Sequence, residues 1–418
     1  MITSCKNINI TDPEIILPWV TDCIMRHKKR HDFRHLLVRA GKLPERQYYA
    51  GLESGDYAAW QPAIRKVAEE AARRIAAHDL RLRPVRIRER VDRSSGKTRQ
   101  IGDEEAMQQV FDHIAVGAAD PIWRRRFVPQ QASSLRGRGP VYGSNIIRDW
   151  IQQDNRAARW TYAHKRKYSR KCRYFAKLDV QKCYPSLRTA VFMRYFRRDC
   201  GNADLLWLWE ALLESHKVGD NEGFMIGALV SQFACQYLLS FAYRYVMDLH
   251  KSRRGKRYKL VTHALFYMDD QLLFSASRRD LKSAVRALIR YERDELGLTI
   301  KPTWAIQDMD KHPVDMMGYR HYSNGAVTIR PRILRRARRV TLHVLRRQHL
   351  ALEQARRICA YKGYFKHTNS RRIIKALRLR KLFTKAAATI SRHDRRNQNG
   401  RNGILQRRTG ANPVYGPA

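Results

Sequence analysis

Two adjacent acids inside an apolar run, Asp269 and Asp270, constrain this chain more than any other feature of its sequence. The run reads Leu-Phe-Tyr-Met-Asp-Asp-Gln-Leu-Leu-Phe over residues 265–274. Apolar, β-favouring residues on both sides of the acids predict a strand, a tight turn and a second strand, with the acids at the turn. Adjacent buried carboxylates repel each other unless a cation or a shared proton compensates. A divalent cation with oxygen ligands, most often Mg²⁺, is one solution, and an ordinary hairpin with a solvated Asp-Asp turn is the alternative.

A third acid, Asp179, has a matching context. The stretch Tyr-Phe-Ala-Lys-Leu-Asp-Val at residues 174–180 predicts a core strand with a carboxylate at its end. Pro185 cannot continue a central strand, so the chain should turn before it and leave Asp179 at the carboxyl edge. If the two acidic strands are neighbours, their carboxylates can bridge two metal ions about 4 Å apart, an arrangement that suits in-line displacement at phosphorus.

These stretches resemble the palm motifs of reverse transcriptases. The matching residues are Leu-Asp-Val-Gln-Lys-Cys-Tyr-Pro-Ser at 178–186 and Tyr-Met-Asp-Asp at 267–270. The resemblance implies two catalytic Mg²⁺ ions, with Mn²⁺ as a substitute. It implies that these ions are bound at Asp179, Val180 and Asp269, with Asp270 in support.

The same motifs imply substrate contacts. Tyr184 stands where this family has an aromatic steric gate against a ribose 2′-hydroxyl, so an aromatic there favours dNTPs over NTPs. Tyr267 and Met268 are expected to contact the substrate as well. The alternative for Tyr184 is a core tyrosine beside a proline turn.

Two basic positions match the fingers hairpin of the family. The stretch Ser-Ser-Gly-Lys-Thr-Arg-Gln-Ile at 94–101 resembles this hairpin. Lys97 and Arg99 are then expected to bind the incoming triphosphate, because fixed cationic donors stabilise charge that develops on phosphate oxygens. The alternative is a polar hairpin tip with solvated charges.

Two later stretches follow in family order. Leu-Thr-Ile-Lys-Pro at 298–302 comes after a predicted amphipathic helix, and the resemblance implies that Lys301 approaches the leaving pyrophosphate as a general acid. An exposed lysine at a strand end is the alternative. Met-Met-Gly-Tyr-Arg at 316–320 resembles the primer grip, in which Gly318 permits a tight β-turn and Tyr319 follows it.

One segment discriminates between subfamilies. Met-Ile-Gly-Ala-Leu-Val-Ser-Gln at 225–232 resembles a motif in which most reverse transcriptases have glutamine before the glycine and proline after the serine. Here Ile226 precedes Gly227, and Gln232 follows the serine. This pattern resembles the reverse transcriptases of diversity-generating retroelements, which copy template RNA with errors opposite adenine. Losing the polar contacts of glutamine should lower discrimination. Neutral replacement in a buried helix is the alternative.

The charge of the chain fits a nucleic-acid partner. The formal net charge is +45 over 418 residues, and residues 331–390 hold eighteen Lys and Arg but a single acid, Glu353. Such an excess points to a polyanion, although a ribosome-associated or membrane-surface protein can be as basic. Apolar residues at helical intervals in this region predict helices with one packed face and one basic face, which the resemblance identifies as a thumb.

The seven cysteines are widely spaced and include no C-x-x-C pair, and the fifteen histidines include no H-E-x-x-H. Neither a zinc site nor a disulfide framework is therefore predicted. With no signal peptide or long apolar run, the expected location is a reducing cytoplasm, in a bacterial or phage-encoded setting, away from membranes.

The expected fold is α+β, a right-hand polymerase with fingers, a palm built on an antiparallel sheet and a helical thumb. The expected parts are an N-terminal helical extension, fingers, the catalytic palm, the basic thumb and a disordered basic tail, spanning 1–80, 81–170, 171–325, 326–390 and 391–418. The tail is expected to be disordered because it has little to bury.

The expected activity is RNA-directed DNA synthesis by two-metal nucleotidyl transfer, error-prone at template adenines. The implied partners are template RNA, a DNA or RNA primer, dNTPs and a small, basic, helical accessory protein. A phage-defence or retron-type reverse transcriptase is the first alternative. A non-catalytic RNA-binding scaffold is the second, and three retained acids disfavour it because unused buried carboxylates are costly.

Overall fold

The structure is a computed structural model that describes residues 3–91, 98–164, 168–217, 222–347 and 350–408. Contacts divide the chain into two compact units. The first combines Met1–Gly139 with Lys171–Gln307, and the second combines Pro140–Arg170 with Asp308–Ala418. Both units mix helices and strands, as expected for an α+β chain. The predicted division into extension, fingers, palm, thumb and tail stays a prediction.

The helices, in chain order, are α1 Pro13–His27, α2 His31–Arg39, α3 Glu45–Ser54, α4 Gln61–Ala76, α5 Ala106–Ala118, α6 Asp120–Arg126, α7 Pro140–Ala163, α8 Cys183–Ser186, α9 Thr189–Asp199, α10 Ala203–Glu214, α11 Leu229–Asp248, α12 Arg278–Leu296, α13 Pro331–Arg347, α14 Leu352–Lys366, α15 Arg371–Ala376 and α16 Leu379–Arg408. Among the described residues, no helix is both long and apolar enough to cross a membrane.

The strands are β1 Arg86–Val91, β2 Thr98–Asp103, β3 Tyr174–Asp179, β4 His250–Arg253, β5 Lys256–Lys259, β6 His263–Tyr267, β7 Asp270–Ser275, β8 Ile306–Asp308, β9 Val314–Met316, β10 Tyr319–His321 and β11 Val327–Ile329. β1 pairs with β2 and β4 with β5 as antiparallel hairpins.

A four-stranded sheet with the order β6-β7-β3-β8 forms the centre of the first unit. β7 runs antiparallel to both β6 and β3, which confirms the predicted strand, turn and strand around the acid pair. α12 packs on β3 and β7, and α11 packs on β6. α12 is the amphipathic helix that the sequence predicted before residue 298, and it buries Leu281, Val285, Leu288 and Leu296. It begins after Ser277, whose side chain accepts from the Asp280 amide, and ends before a left-handed Gly297.

The N-terminal helices belong to the same core as this sheet. The helical character of residues 1–80 is as expected. α1 packs against α4 and α5, and buried residues such as Val20 and Val67 share one hydrophobic cluster with the sheet residues Ala176 and Leu273. The N-terminal region is therefore an integral part of the first unit.

The second unit has its own core. Its three strands run antiparallel in the order β11-β10-β9, and a hydrophobic cluster with Ile329, Val340, Ile358 and Phe383 joins the strands to the basic helices α13, α14 and α16. The tail differs from expectation: the helix that begins at Leu379 continues to Arg408, so residues 391–408 are helical. This helix starts on buried residues of the core and propagates from there. Residues 409–418 lie outside the described residues.

Candidate active site

Three carboxylates meet at one end of the central sheet. β3 ends at Asp179 and β7 begins at Asp270, and the strand register places these two residues opposite each other. Asp269 lies in the turn that joins Tyr267 to Asp270, and its carbonyl oxygen accepts a hydrogen bond of 3.0 Å from the Val180 amide. The expectation that the two acidic strands are neighbours is therefore confirmed.

The turn itself is fixed by Met268. This residue has a left-handed backbone, with φ at +53°, a conformation that is uncommon for residues other than glycine. Its sulfur is contacted by Gln236 Nε2 at 3.2 Å, Ser134 Oγ at 3.7 Å and Tyr184 Oη at 3.9 Å. Such strain persists only where the surroundings over-determine it, and here these contacts hold the turn that carries Asp269.

The negative charges of the three acids oppose one another, so nearby positive charge stabilises them. Burial is the main cause that raises the pKa of Asp269, and the charges of Asp270 and Asp179 add to it. Two lysines supply part of this positive charge. Lys301 Nζ lies 2.5 Å from Asp179 Oδ1, and Lys177 Nζ lies 3.0 Å from Asp270 Oδ1. The sequence predicted neither ion pair.

The residues fit divalent metal ions. The donor set is three carboxylates on two paired strands and the turn between them, and Mg²⁺ prefers oxygen ligands of this kind. The two lysine ammonium groups are cations already in place at Asp179 and Asp270. Because two of the three carboxylates are paired with a lysine, the acids at this end of the sheet stabilise positive charge.

Tyr184 lies beside the acid turn. It is half-buried in α8, burial raises the pKa of its phenol, and its hydroxyl faces the sulfur of Met268. Its carbonyl oxygen accepts from the Phe224 amide at 2.9 Å. The neighbouring Cys183 packs with its sulfur 3.6 Å from that of Cys235. None of the seven cysteines, all within the described ranges, forms a disulfide bond. The gate role of Tyr184 stays a prediction.

The β1–β2 hairpin contacts the segment that contains Ile226. The Gly102 amide donates to the Ile226 carbonyl oxygen at 2.9 Å. Gly227 has φ at +119°, and a Cβ there would lie 2.9 Å from the Gly102 carbonyl oxygen and 3.0 Å from Ile101 Cγ2. Only glycine fits this close approach without strain. The structure thus gives Gly227 a steric reason that the motif alone did not supply.

The predicted triphosphate contacts are partly described. Arg99 is exposed on β2, and its charge lowers the pKa of Asp269, so it belongs to the electrostatic surroundings of the acid turn. Lys97 lies outside the described residues. Ile226 and Gln232 are half-buried, at the turn before α11 and on its first turn respectively.

A buried polar network, which no sequence motif predicted, positions α11. Asp112 Oδ2 accepts from the amides of Leu229 at 2.9 Å and Val230 at 3.2 Å, the first two residues of that helix. Nearby, His216 Nε2 lies 3.1 Å from Glu104 Oε1, and its Nδ1 lies 3.2 Å from Ser231 Oγ. A carboxylate at a helix N-terminus satisfies otherwise unpaired amides.

The two residues predicted as a primer grip, Gly318 and Tyr319, lie in the second unit. Gly318 has φ at +88° in the tight turn between β9 and β10, which confirms the predicted turn. A Cβ at this position would meet the Tyr364 ring and Ile333. Tyr319 is 1% exposed, with its ring centroid 5.3 Å from that of Tyr364. Tyr319 is thus a core residue of its unit, and the primer contact stays a prediction.

No protein-family model matches the chain, and no curated protein matches it. Solved structures similar to it include apo telomerase from Candida tropicalis, truncated from the C-terminal domain, with a TM-score of 0.39 and 14% identity over 59% of this chain and 55% of that chain. Telomerase from Candida albicans, in complex with a TWJ fragment of telomeric RNA, has a TM-score of 0.39 and 10% identity over 72% of this chain and 54% of that chain. This chain spans about half the length of either telomerase chain.

Proposed function

We propose that this protein is an RNA-directed DNA polymerase that extends a primer by nucleotidyl transfer. The observation that carries the proposal is the meeting of Asp179, Asp269 and Asp270 at one end of an antiparallel sheet, in the sequence motifs that resemble a reverse transcriptase palm. Two divalent cations bound there, preferably Mg²⁺, would neutralise charge on the attacking 3′-hydroxyl oxygen and on the leaving oxygen.

The residues of the chain would contribute by positioning the substrates and by stabilising the charge of the transition state. Lys177 and Lys301 would give up their carboxylate partners when other cations arrive. Lys301 is then available to donate a proton to the departing pyrophosphate. Arg99, exposed on the hairpin, would bind the triphosphate, and Tyr184 would face the sugar.

Primer extension tests the proposal. Wild-type protein with an annealed RNA template, a primer, dNTPs and Mg²⁺ should incorporate nucleotides, and Asp269→Asn should lose at least about 1000-fold in rate, equivalent to about 4 kcal/mol of transition-state stabilisation. Asp294→Asn is the matched control, because Asp294 is an exposed acid paired with its neighbour Arg293, and its rate should equal that of wild type. Incorporation by Asp269→Asn at the wild-type rate would refute the assignment of the site.

We also propose that the polymerase is error-prone and belongs to a diversity-generating retroelement, with a small basic helical accessory protein in a bacterial or phage-encoded cytoplasmic setting. Ile226 and Gln232 support this choice over the phage-defence or retron-type alternative. The Ile226 side chain has no polar group for checking a base pair, and its backbone carbonyl is already bonded to Gly102.

Sequencing of the cDNA tests this second proposal. Ile226→Gln should lower the error frequency opposite template adenine by about tenfold, the discrimination expected from a small change in polar contact. Errors opposite the other template bases should change less. An unchanged adenine error in an active Ile226→Gln protein would remove the physical basis of the subfamily proposal.

A further inference from the structure

Three metal-ligand side chains converge between α1 and α5, in a part of the first unit that the proposed polymerase reaction does not use. Cys23 and His27 lie four residues apart on α1, so they share one face of that helix. His113 reaches the same place from α5. The candidate ligand atoms of the three residues all lie within 4.8 Å of one another.

The individual contacts resemble a metal site before loading. His27 Nδ1 lies 3.9 Å from Cys23 Sγ and donates a hydrogen bond of 2.9 Å to the Cys23 carbonyl oxygen. Metal binding through Nδ1 would replace this hydrogen bond and move the ring proton to Nε2. In a tetrahedral zinc site with ordinary bond lengths, sulfur and nitrogen ligands lie about 3.5 Å apart. The thiol and the imidazole therefore need to approach each other by less than about 0.5 Å to reach that spacing.

A carboxylate lies close to His113. The His113 side chain is 11% exposed, and Asp22 Oδ2 lies 3.6 Å from its Nδ1, beyond hydrogen-bond distance, while the same oxygen pairs with Arg26 Nε at 2.7 Å. A carboxylate that accepts a hydrogen bond from one ring nitrogen fixes the ring and its tautomer and leaves the other nitrogen as the ligand. Asp22 would reach that hydrogen-bond distance by moving about 0.5 Å toward His113. Asp22 precedes Cys23 on α1, so a single turn of helix supplies both a ligand and the group that orients a second ligand.

We propose that Cys23, His27 and His113 bind one Zn²⁺ ion, which links α1 to α5, and that Asp22 is a positioning residue for His113. A thiolate with two imidazoles is a donor set for zinc and is a poor one for Mg²⁺. On binding, the Cys23 thiol loses its proton to solvent, and a zinc–sulfur bond forms. Water completes the fourth position, since both histidines are partly exposed. This site does not depend on the proposed polymerase function.

The sequence did not predict the site because the spacing of its residues matches neither C-x-x-C nor H-E-x-x-H. Cys-x-x-x-His over 23–27 is a single helical pair, and His113 stands far along the chain. The chain also offers a contrast, an exposed histidine pair on α2 with His31 Nε2 and His35 Nε2 3.0 Å apart. That pair has the same four-residue spacing but no thiol.

Titration with Co²⁺ tests the proposal, because a thiolate–Co²⁺ bond absorbs in the near ultraviolet and a carboxylate–Co²⁺ bond does not. The full chain, free of any affinity tag and stripped of metal, is titrated in excess Mg²⁺ to occupy the carboxylates. We expect one equivalent of Co²⁺ to give the thiolate band and Zn²⁺ to displace it. Cys23→Ser should abolish the band, and Asp22→Asn should weaken affinity by about 10–100-fold.

The His31→Ala, His35→Ala double variant is the matched control, and its thiolate band should equal that of wild type. The proposal is overturned by a wild-type protein without the band, or by a band that survives in Cys23→Ser, which would assign it to another cysteine. The wild-type titration alone decides the first outcome, so a variant that fails to fold does not rescue the proposal.

Discussion

Glu292 makes the stability of the first unit depend on pH. It lies on α12, is fully buried, and accepts a hydrogen bond from Gln271 Nε2 at 2.5 Å. Gln271 follows Asp270 in the chain, so this hydrogen bond lies next to the acid turn. Two atoms of this pair, Glu292 Oε2 and Gln271 Oε1, have no hydrogen-bond partner among the described residues. Burial raises the pKa of Glu292 from 4.5 to about 8. A protonated carboxyl can donate to an acceptor such as Gln271 Oε1, whereas a carboxylate cannot.

The sign follows from the raised pKa. The folded state binds the proton more tightly than the unfolded state, so Glu292 imposes no penalty below about pH 4.5 and an increasing one up to about pH 8. With 1.36 kcal/mol per pKa unit, the full penalty is about 5 kcal/mol, of which about 2 kcal/mol is present at pH 6. Glu292→Gln removes the penalty, because an amide keeps the acceptor and supplies the missing donor.

Urea unfolding of both proteins at pH 6 and pH 8.5 measures the effect. We expect Glu292→Gln to be more stable than wild type at both values, with a gap that widens by about 2.5 kcal/mol at pH 8.5. Taking the difference between the two proteins cancels other titrating groups, including Glu104, whose pKa burial raises to about 7. A gap of equal size at the two pH values would refute the conclusion that Glu292 is protonated in the fold.

Two further substitutions test the surroundings of the site. Gly227→Ala should cost about 1–3 kcal/mol of backbone strain and push the Gly102 strand away, so primer extension should fall at least tenfold. The control is Gly297→Ala, which is also at positive φ but has open space around it and should keep its activity. Full activity in Gly227→Ala would contradict the close approach. Tyr184→Ala should raise NTP incorporation relative to dNTP incorporation by about 10-fold or more, measured by single-nucleotide extension with matched triphosphates, and an unchanged ratio would make Tyr184 a packing residue only.

Local pattern was sufficient where neighbouring residues in the chain are also neighbours in the fold. The acid turn, the strand that ends at Asp179 and the helix α12 follow from apolar runs and alternating polarity within about twenty residues. The tight turn at Gly318 follows for the same reason. Each of these features is encoded by a short segment whose side chains decide its own backbone.

The remaining features depend on pairs far apart in sequence. Asp112 caps α11 from a distant helix, Lys177 and Lys301 neutralise acids on other segments, and His113 meets Cys23 across two helices. No spacing rule connects such residues, because only the folded packing brings them together. The helix that continues to Arg408 differs from the predicted tail for a related reason: its first turns pack on the core of the second unit, and composition alone does not reveal that support.

Single-nucleotide incorporation on a preformed RNA–primer duplex tests most directly whether Asp179, Asp269 and Asp270 act as one site. Asp179→Asn and Asp269→Asn, which change acids on separate segments, should bind the duplex with the wild-type Kd and should both lose at least about 1000-fold in the rate of the chemical step. A variant of either acid that incorporates the nucleotide at the wild-type rate would contradict the assignment of a shared nucleotidyl-transfer site.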